Sequence, residues 1–230
     1  MSSGLTTILL LVLAAGAGAG LVLWLHHRTT AEREAFQALA ARRGWSLTIS
    51  EQKLGRPASL RLTARSGSGW QAEARRLTHD VSGAPITLTT EFTADEPHWS
   101  DGMLLIGPPV PAETMALLRE VLDTPASTAA LKLLTQLFGE DPTIDMSTLR
   151  LYPGPAEVTV LATADPAHRI DLPDLAQAIT DWTPHLPGDK GLPIVILGPD
   201  GLRVRLRHGT RRADQMESFI DFSLDIARNI

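Results

Sequence analysis

The stretch LPIVILGPDGLRVRLR, residues 192–207, decides the fold of this chain. An apolar run, a turn of Gly, Pro and Asp, and a second run that alternates arginine with leucine or valine predict a β-hairpin. Successive side chains of a strand point to opposite faces, so the apolar residues of the second strand share one face. The other face carries Arg203, Arg205 and Arg207. We therefore expect a sheet with one buried and one polar face.

The segments on either side of the hairpin complete a C-terminal lobe over residues 156–230. A strand AEVTVLATAD and a helix PDLAQAITDW precede it, and RADQMESFIDFSLDIARN follows as an amphipathic helix with apolar residues at helical spacing. The order strand, helix, strand, strand, helix predicts an α+β lobe with its helices on one side of an antiparallel sheet.

The same lobe carries a resemblance to known proteins. VTVLATADPAHRIDLPDLAQAITDW followed by LPIVILGPDGLRVRLR resembles a family of bacterial membrane-anchored proteins that has no assigned activity, over about residues 156–230. The resemblance implies a cytoplasmic α+β domain on a membrane anchor, and it carries over no functional residue.

Upstream, residues 26–110 are expected to form a membrane-proximal lobe. The segment TAEREAFQALAARRG predicts a helix that ends at Gly44, and WSLTIS, ASLRLTAR, GWQAEARR, PITLTTEF and GMLLIG predict an antiparallel meander of about five strands. Residues 111–140 predict a pair of helices. The Asp- and Pro-rich residues 141–155 predict a connector between the lobes.

The N-terminal segment predicts a membrane anchor. After a short tail, residues 1–4, the 21 residues of 5–25 contain no charge, and a helix of that length covers roughly 30 Å, the thickness of a bilayer core. A cleaved signal peptide is the alternative, but no basic residue precedes the segment and the apolar run resumes after AGAGAG. Basic residues follow the segment, which predicts a single-pass protein of the bacterial inner membrane with a cytoplasmic domain; a periplasmic domain is the alternative.

Small residues within this segment suggest helix packing. Gly16 and Gly20 form a GxxxG pair, a spacing that lets two membrane helices approach closely. One interpretation is a homodimer through this face; the alternative is that Ala and Gly are common in bacterial membrane helices and the GxxxG spacing occurs here by chance.

Charge and composition limit the partners. Residues 26–76 carry ten basic and four acidic groups, which suits a surface near anionic lipid headgroups. The whole chain has a net charge of -5 and only 5% aromatic residues, so nucleic acid is a poor candidate. Arg203, Arg205 and Arg207 could bind an anionic surface, or could form a solvated face that discourages edge pairing of strands.

No motif predicts catalytic, metal-ligating or cofactor-binding residues. The chain has no cysteine, SGSGW lacks the P-loop lysine, and the histidines show no metal-ligand spacing. DEPHWSD, residues 95–101, is the one local cluster that contains both carboxylates and a histidine. Two hypotheses remain open: a membrane-anchored domain that binds a protein partner or the membrane surface, and an enzyme with a dispersed active site.

Overall fold

The computed structural model describes residues 29–51, 58–65, 69–76, 89–100, 102–122, 148–166, 168–183, 192–210 and 212–230, and single residues at 16, 18, 20, 24, 27, 132, 134, 135 and 138. The strands are β1 Trp45–Ser50, β2 Ala58–Ala64, β3 Trp70–Arg76, β4 Thr89–Ala94, β5 Leu104–Gly107, β6 Arg150–Tyr152, β7 Thr159–Ala162, β8 Ile194–Gly198 and β9 Gly201–Leu206. The helices are α1 over 29–43, α2 Ala112–Leu122, α3 Leu172–Trp182 and α4 Ala213–Asn229.

These strands form one antiparallel sheet in the order β1-β2-β3-β4-β9-β8-β5-β7-β6. The predicted hairpin is confirmed as β8 and β9, with Gly198 opposite Gly201 across the turn. Leu202, Val204 and Leu206 of β9 are buried, as the alternation predicts. The hairpin lies at the centre of the sheet, so the arginines of β9 do not protect a sheet edge, contrary to one of the interpretations above.

The C-terminal lobe follows the predicted order, with α3 between β7 and β8 and with α4 last. Both helices pack on one face of the sheet together with α1, whose Phe36 and Leu39 enter the same apolar core. Helix α1 ends at Gly44, as predicted, where a φ of +68° suits glycine.

The predicted meander is correct for four strands and wrong for the fifth. Strands β1 to β4 are neighbours in chain order, but β5 lies between β8 and β7. All four residues of β5 are buried, so this strand requires cover on both faces, while β9 occupies the side of β4 that a fifth meander strand would need. The β4–β9 pairing joins strands of both predicted lobes, and β6 lies within the predicted connector.

Two apolar cores result from this arrangement. The larger lies between the sheet and α1, α3 and α4, and includes Trp70, which stacks on Phe92 with ring centroids 5.8 Å apart. The smaller lies on the opposite face, where Leu118 of α2 packs with Leu105 and Leu161. The half of the sheet around β5, β7 and β8 is therefore covered on both sides, whereas β2, β3, β4 and β9 carry charged side chains on the face away from α4.

Most of the predicted membrane segment, residues 5–25, lies outside the described residues, as does most of the second helix predicted within 111–140. Gly16 and Gly20 are described; both are helical and exposed, and a Cβ added at either would meet no atom within 4 Å. Within the described part of the chain, no helix combines the length and apolar composition that crossing a membrane requires.

Candidate functional site

A wide groove lies between α3 and α4 on the helical side of the sheet. Its volume is about 1250 Å³, and Trp182 and Phe222 lie at its floor. These rings stack with centroids 4.7 Å apart and an interplanar angle of 14°, and the Trp182 indole N–H donates to Ser218 Oγ at 3.0 Å. The stacked rings hold the two helices in fixed relative positions.

Helix α3 turns its acidic side chains toward this groove because its apolar side is used by the core. Leu172, Leu175 and Ile179 are buried against the sheet, which leaves Asp174 and Asp181 exposed on the other side of the helix. The Asp171 carboxylate caps the helix by accepting the Asp174 backbone N–H at 3.1 Å.

Helix α4 presents a second acidic wall. Its core side includes Met216, Phe219 and Ile220, while acidic residues recur every three or four positions along the groove side. These acidic residues are Asp214, Glu217, Asp221 and Asp225. The groove as a whole is lined by seven carboxylates and two guanidinium groups, those of Arg43 and Arg228.

Arginines neutralise the α4 wall. Arg42 and Arg43, at the end of α1, form ion pairs with Glu217, and Arg43 also pairs with Asp221. At the two ends of α4, Arg212 pairs with Asp214 and Arg228 pairs with Asp225. The hydrogen bonds from Arg212 hold the pKa of the Asp214 carboxyl below its ordinary value. In the described structure no ion pair joins Asp174 or Asp181 of α3 to a basic side chain.

Of the three arginines predicted as an anionic-surface site, Arg203 and Arg205 lie on the polar face of the sheet in β9, and Arg207 directly follows the strand. Arg203 and Arg205 are partly exposed, and Arg207 is more exposed than either. Arg205 Nε donates to Glu91 Oε2 on the neighbouring strand at 2.6 Å, and only 14% of the Arg205 side chain is exposed. Partial desolvation of the Arg207 guanidinium, which is still accessible to solvent, lowers its pKa from the ordinary value. At least Arg205 therefore has a structural role, and anion binding by the three arginines stays a prediction.

Glu73 continues the charged network across the same face. Cross-strand register places it opposite Arg61 on one side and Glu91 on the other. Burial raises the pKa of Glu73, but Arg75, the Ser59 hydroxyl and Arg61 outweigh burial and hold it below its ordinary value. This network, which sequence reasoning did not predict, keeps Glu73 ionised on a partly covered surface.

Residues 95–100 of the DEPHWSD cluster, where the enzyme hypothesis would place an active site, pack beside the β8–β9 turn, and Asp101 of the cluster lies outside the described residues. Trp99 is buried and its backbone N–H donates to the Gly198 carbonyl at 2.9 Å, while Arg169 donates to the His98 carbonyl at 3.0 Å. The His98 side chain is half-exposed and lies 3.0 Å from Glu96, which is more exposed still. Neither the groove nor the second cavity, of about 270 Å³ between α1 and the β1–β2 edge, includes His98.

No family model, curated protein or solved structure matches this chain. The candidate site therefore rests on the geometry of the chain itself. Among the described residues, no group of three or more His, Asp or Glu side chains has an arrangement that could hold a metal ion.

The groove was not predicted from the sequence. The two helices that form its walls are about forty residues apart along the chain, and the acidic side of each has the pattern of the solvated side of an amphipathic helix. One signal was present: aspartates recur at helical spacing in both PDLAQAITDW and RADQMESFIDFSLDIARN. The pairing of the two helices, which unites these aspartates, is not encoded in either segment alone.

Proposed function

We propose that this chain is a single-pass membrane-anchored protein whose α+β domain binds a protein partner in the groove between α3 and α4. The groove is the observation that carries the proposal. Its volume of about 1250 Å³ exceeds the range of about 300–1,000 Å³ typical of small-molecule pockets. A surface of this kind suits a macromolecular segment better than a substrate that must be enclosed.

The charge of the groove favours a protein over a lipid surface. Seven carboxylates line it, and anionic headgroups would be repelled by them. Arg205, which the sequence suggested for headgroup binding, is already paired with Glu91 across the sheet. Partner binding therefore agrees better with the described geometry than membrane-surface binding does.

Two features support membrane anchoring: the uncharged sequence of residues 5–25, and the short distance in sequence between this segment and helix α1. Helix α1 follows the uncharged segment after a few residues and packs Phe36 and Leu39 into the main core, so the domain begins close to the proposed anchor. In this proposal the domain is cytoplasmic at a bacterial inner membrane, and Gly16 and Gly20 contribute to a homodimer.

Site-specific photocrosslinking in membranes tests the partner-binding part. A photoreactive residue at Gln177, in the groove, should give a discrete crosslinked protein that the same residue at Glu113, exposed on α2, does not give. The captured protein must also bind the purified full chain, and must bind it less well when Gln177 is changed to tryptophan to obstruct the groove. Identical products from both positions, or binding indifferent to the tryptophan, would contradict the proposal.

Carbonate extraction tests the anchor separately. The full chain should stay with the membrane pellet, and a reporter that is active only in the periplasm should stay silent when it is fused after Ile230. Release into the supernatant would contradict membrane anchoring, and an active reporter would contradict the cytoplasmic placement.

A further inference from the structure

The two walls of the groove differ in how their charge is compensated. On α4, arginines from α1 and from both ends of the helix pair with the acidic side chains. On α3, Asp174 and Asp181 are exposed, and the described ion pairs include neither. Among the described residues, the Asp181 carboxylate accepts a neutral hydrogen bond from the Gln177 amide at 2.7 Å. The carboxylates of the groove that no described ion pair neutralises are therefore concentrated along α3.

The aromatic floor of the groove offers a ligand little exposed apolar surface. Trp182 and Phe222 are 8% and 7% exposed, and Leu175 and Ile226 are also buried. A ligand held mainly by apolar contacts would find little surface here. Charge complementarity must therefore supply most of the recognition, and the matching ligand is cationic.

From this geometry we infer that the groove binds an arginine- or lysine-rich segment of the partner protein, lying along α3 with its basic side chains directed to Asp174 and Asp181. The inference rests on the proposed function and names the chemistry of the partner. It agrees with the difference between the two walls. The electrostatic attraction of a basic segment is strongest where no described arginine of the chain is already paired with the carboxylates.

The spacing of the two aspartates sets a spacing for the partner. Asp174 and Asp181 are seven residues apart in a helix, which corresponds to about 10 Å at about 1.5 Å per residue. A peptide in the polyproline II conformation advances about 3.1 Å per residue with about three residues per turn, so basic side chains three positions apart lie on the same side, about 9 Å apart, and would match both aspartates. A segment with basic residues at every third position is thus the expected form.

Fluorescence anisotropy with the purified full chain in a neutral detergent tests this inference. The probe is a labelled peptide of Lys-Ala-Ser repeats, and the matched control peptide carries Glu in place of Lys. The double variant Asp174→Asn with Asp181→Asn is compared with Glu113→Gln with Glu157→Gln, which removes the same charge from exposed positions outside the groove. Thermal unfolding of each variant shows whether it remains folded.

The inference requires that the lysine peptide binds, that the glutamate peptide does not, and that affinity falls as salt screens the charges. The α3 double variant should bind about three- to tenfold more weakly, since each exposed charge pair contributes modestly. The control variant should bind as the unchanged chain does. Equal losses in both variants would show attraction by net charge alone, and an unchanged α3 variant would show that these aspartates are not the site; either result overturns the inference.

This outcome can be separated from that of the proposed function. If a partner is crosslinked at Gln177 but the lysine peptide does not bind, the groove is a docking site and the basic chemistry is wrong. If the peptide binds through α3 while the chain is released from membranes by carbonate, the inference stands and the anchoring is wrong.

Discussion

Replacing Gly201 by alanine should destabilise the domain much more than the same replacement at Gly44. Both glycines have a positive φ, +101° at Gly201 and +68° at Gly44. Alanine in this region costs about 1–2 kcal/mol at either position, because its Cβ crowds the backbone. The two sites differ in what the new methyl group would meet.

At Gly44 an added Cβ would meet no atom within 4 Å, so the cost should stay at about 1 kcal/mol. At Gly201 it would lie 2.1 Å from the Ala94 carbonyl oxygen and 3.0 Å from the Asp95 carbonyl carbon. Both atoms belong to the backbone of β4 and the loop after it, which cannot turn aside as a flexible side chain could. Relieving the overlap must shift one strand, which adds about 1–3 kcal/mol and gives a total of about 2–5 kcal/mol.

Urea denaturation of the full chain, followed by far-ultraviolet circular dichroism, measures both costs. In a domain of this size about 1 kcal/mol lowers Tm by about 2–4 °C, so thermal unfolding should show a drop of roughly 10 °C for Gly201→Ala and roughly 3 °C for Gly44→Ala. The slope of the urea dependence should be unchanged in both variants. Costs that agree within about 0.5 kcal/mol would refute the argument, since the close approach of β4 to the hairpin would then have no energetic effect.

Three further predictions concern the polar sheet face and the proposed anchor. A double-mutant cycle with Glu91→Gln and Arg205→Gln should give a coupling free energy of about 1–2 kcal/mol by urea denaturation, because the pair is partly buried; coupling near zero would exclude a structural role. The lowered pKa of Glu73 implies stability that is present above the unfolded-state pKa, about 4.3, and is lost as pH falls through the lower folded-state pKa. Glu73→Gln should therefore cost about 1 kcal/mol at neutral pH and flatten the acid limb of a stability–pH profile, whereas an unchanged limb would contradict the pKa shift. Gly16→Leu with Gly20→Leu should weaken self-association of the full chain in detergent by sedimentation equilibrium, and an unchanged monomer–dimer balance would remove these glycines from the interface.

Local patterns predicted the elements of the fold well where each element carries its own signal. Gly44 ends α1, the alternation in LRVRLR defines β9, and the spacing of Met216, Phe219 and Ile220 defines α4. In each case the signal comes from residues within one or two turns or one strand, where backbone geometry and side-chain direction are coupled.

Pairing between distant strands was not predictable in the same way. The apolar run LLIG, which forms β5, is compatible with a position beside β4 in a meander. It is equally compatible with a buried position between other strands, and nothing in the run distinguishes the two positions. The choice depends on β9, almost a hundred residues later, which pairs with β4 and leaves β5 to join β8. Strand order is therefore a property of the whole sheet rather than of any one segment.

The candidate site depends on the same kind of long-range event. Taken singly, the aspartates of α3 and α4 are the ordinary polar sides of two amphipathic helices, and nothing distinguishes them from solvated charge. The stacking of Trp182 on Phe222 joins α3 to α4, and this contact places the acidic sides of the two helices along one groove. Arg42 and Arg43 form ion pairs with Glu217 and Asp221 and so neutralise the wall that α4 contributes. The wall that α3 contributes has no such described pairs. The recognition chemistry proposed for this chain thus arises from packing between three helices and from an asymmetric distribution of arginines, and it could be inferred only once the positions of all three helices were known.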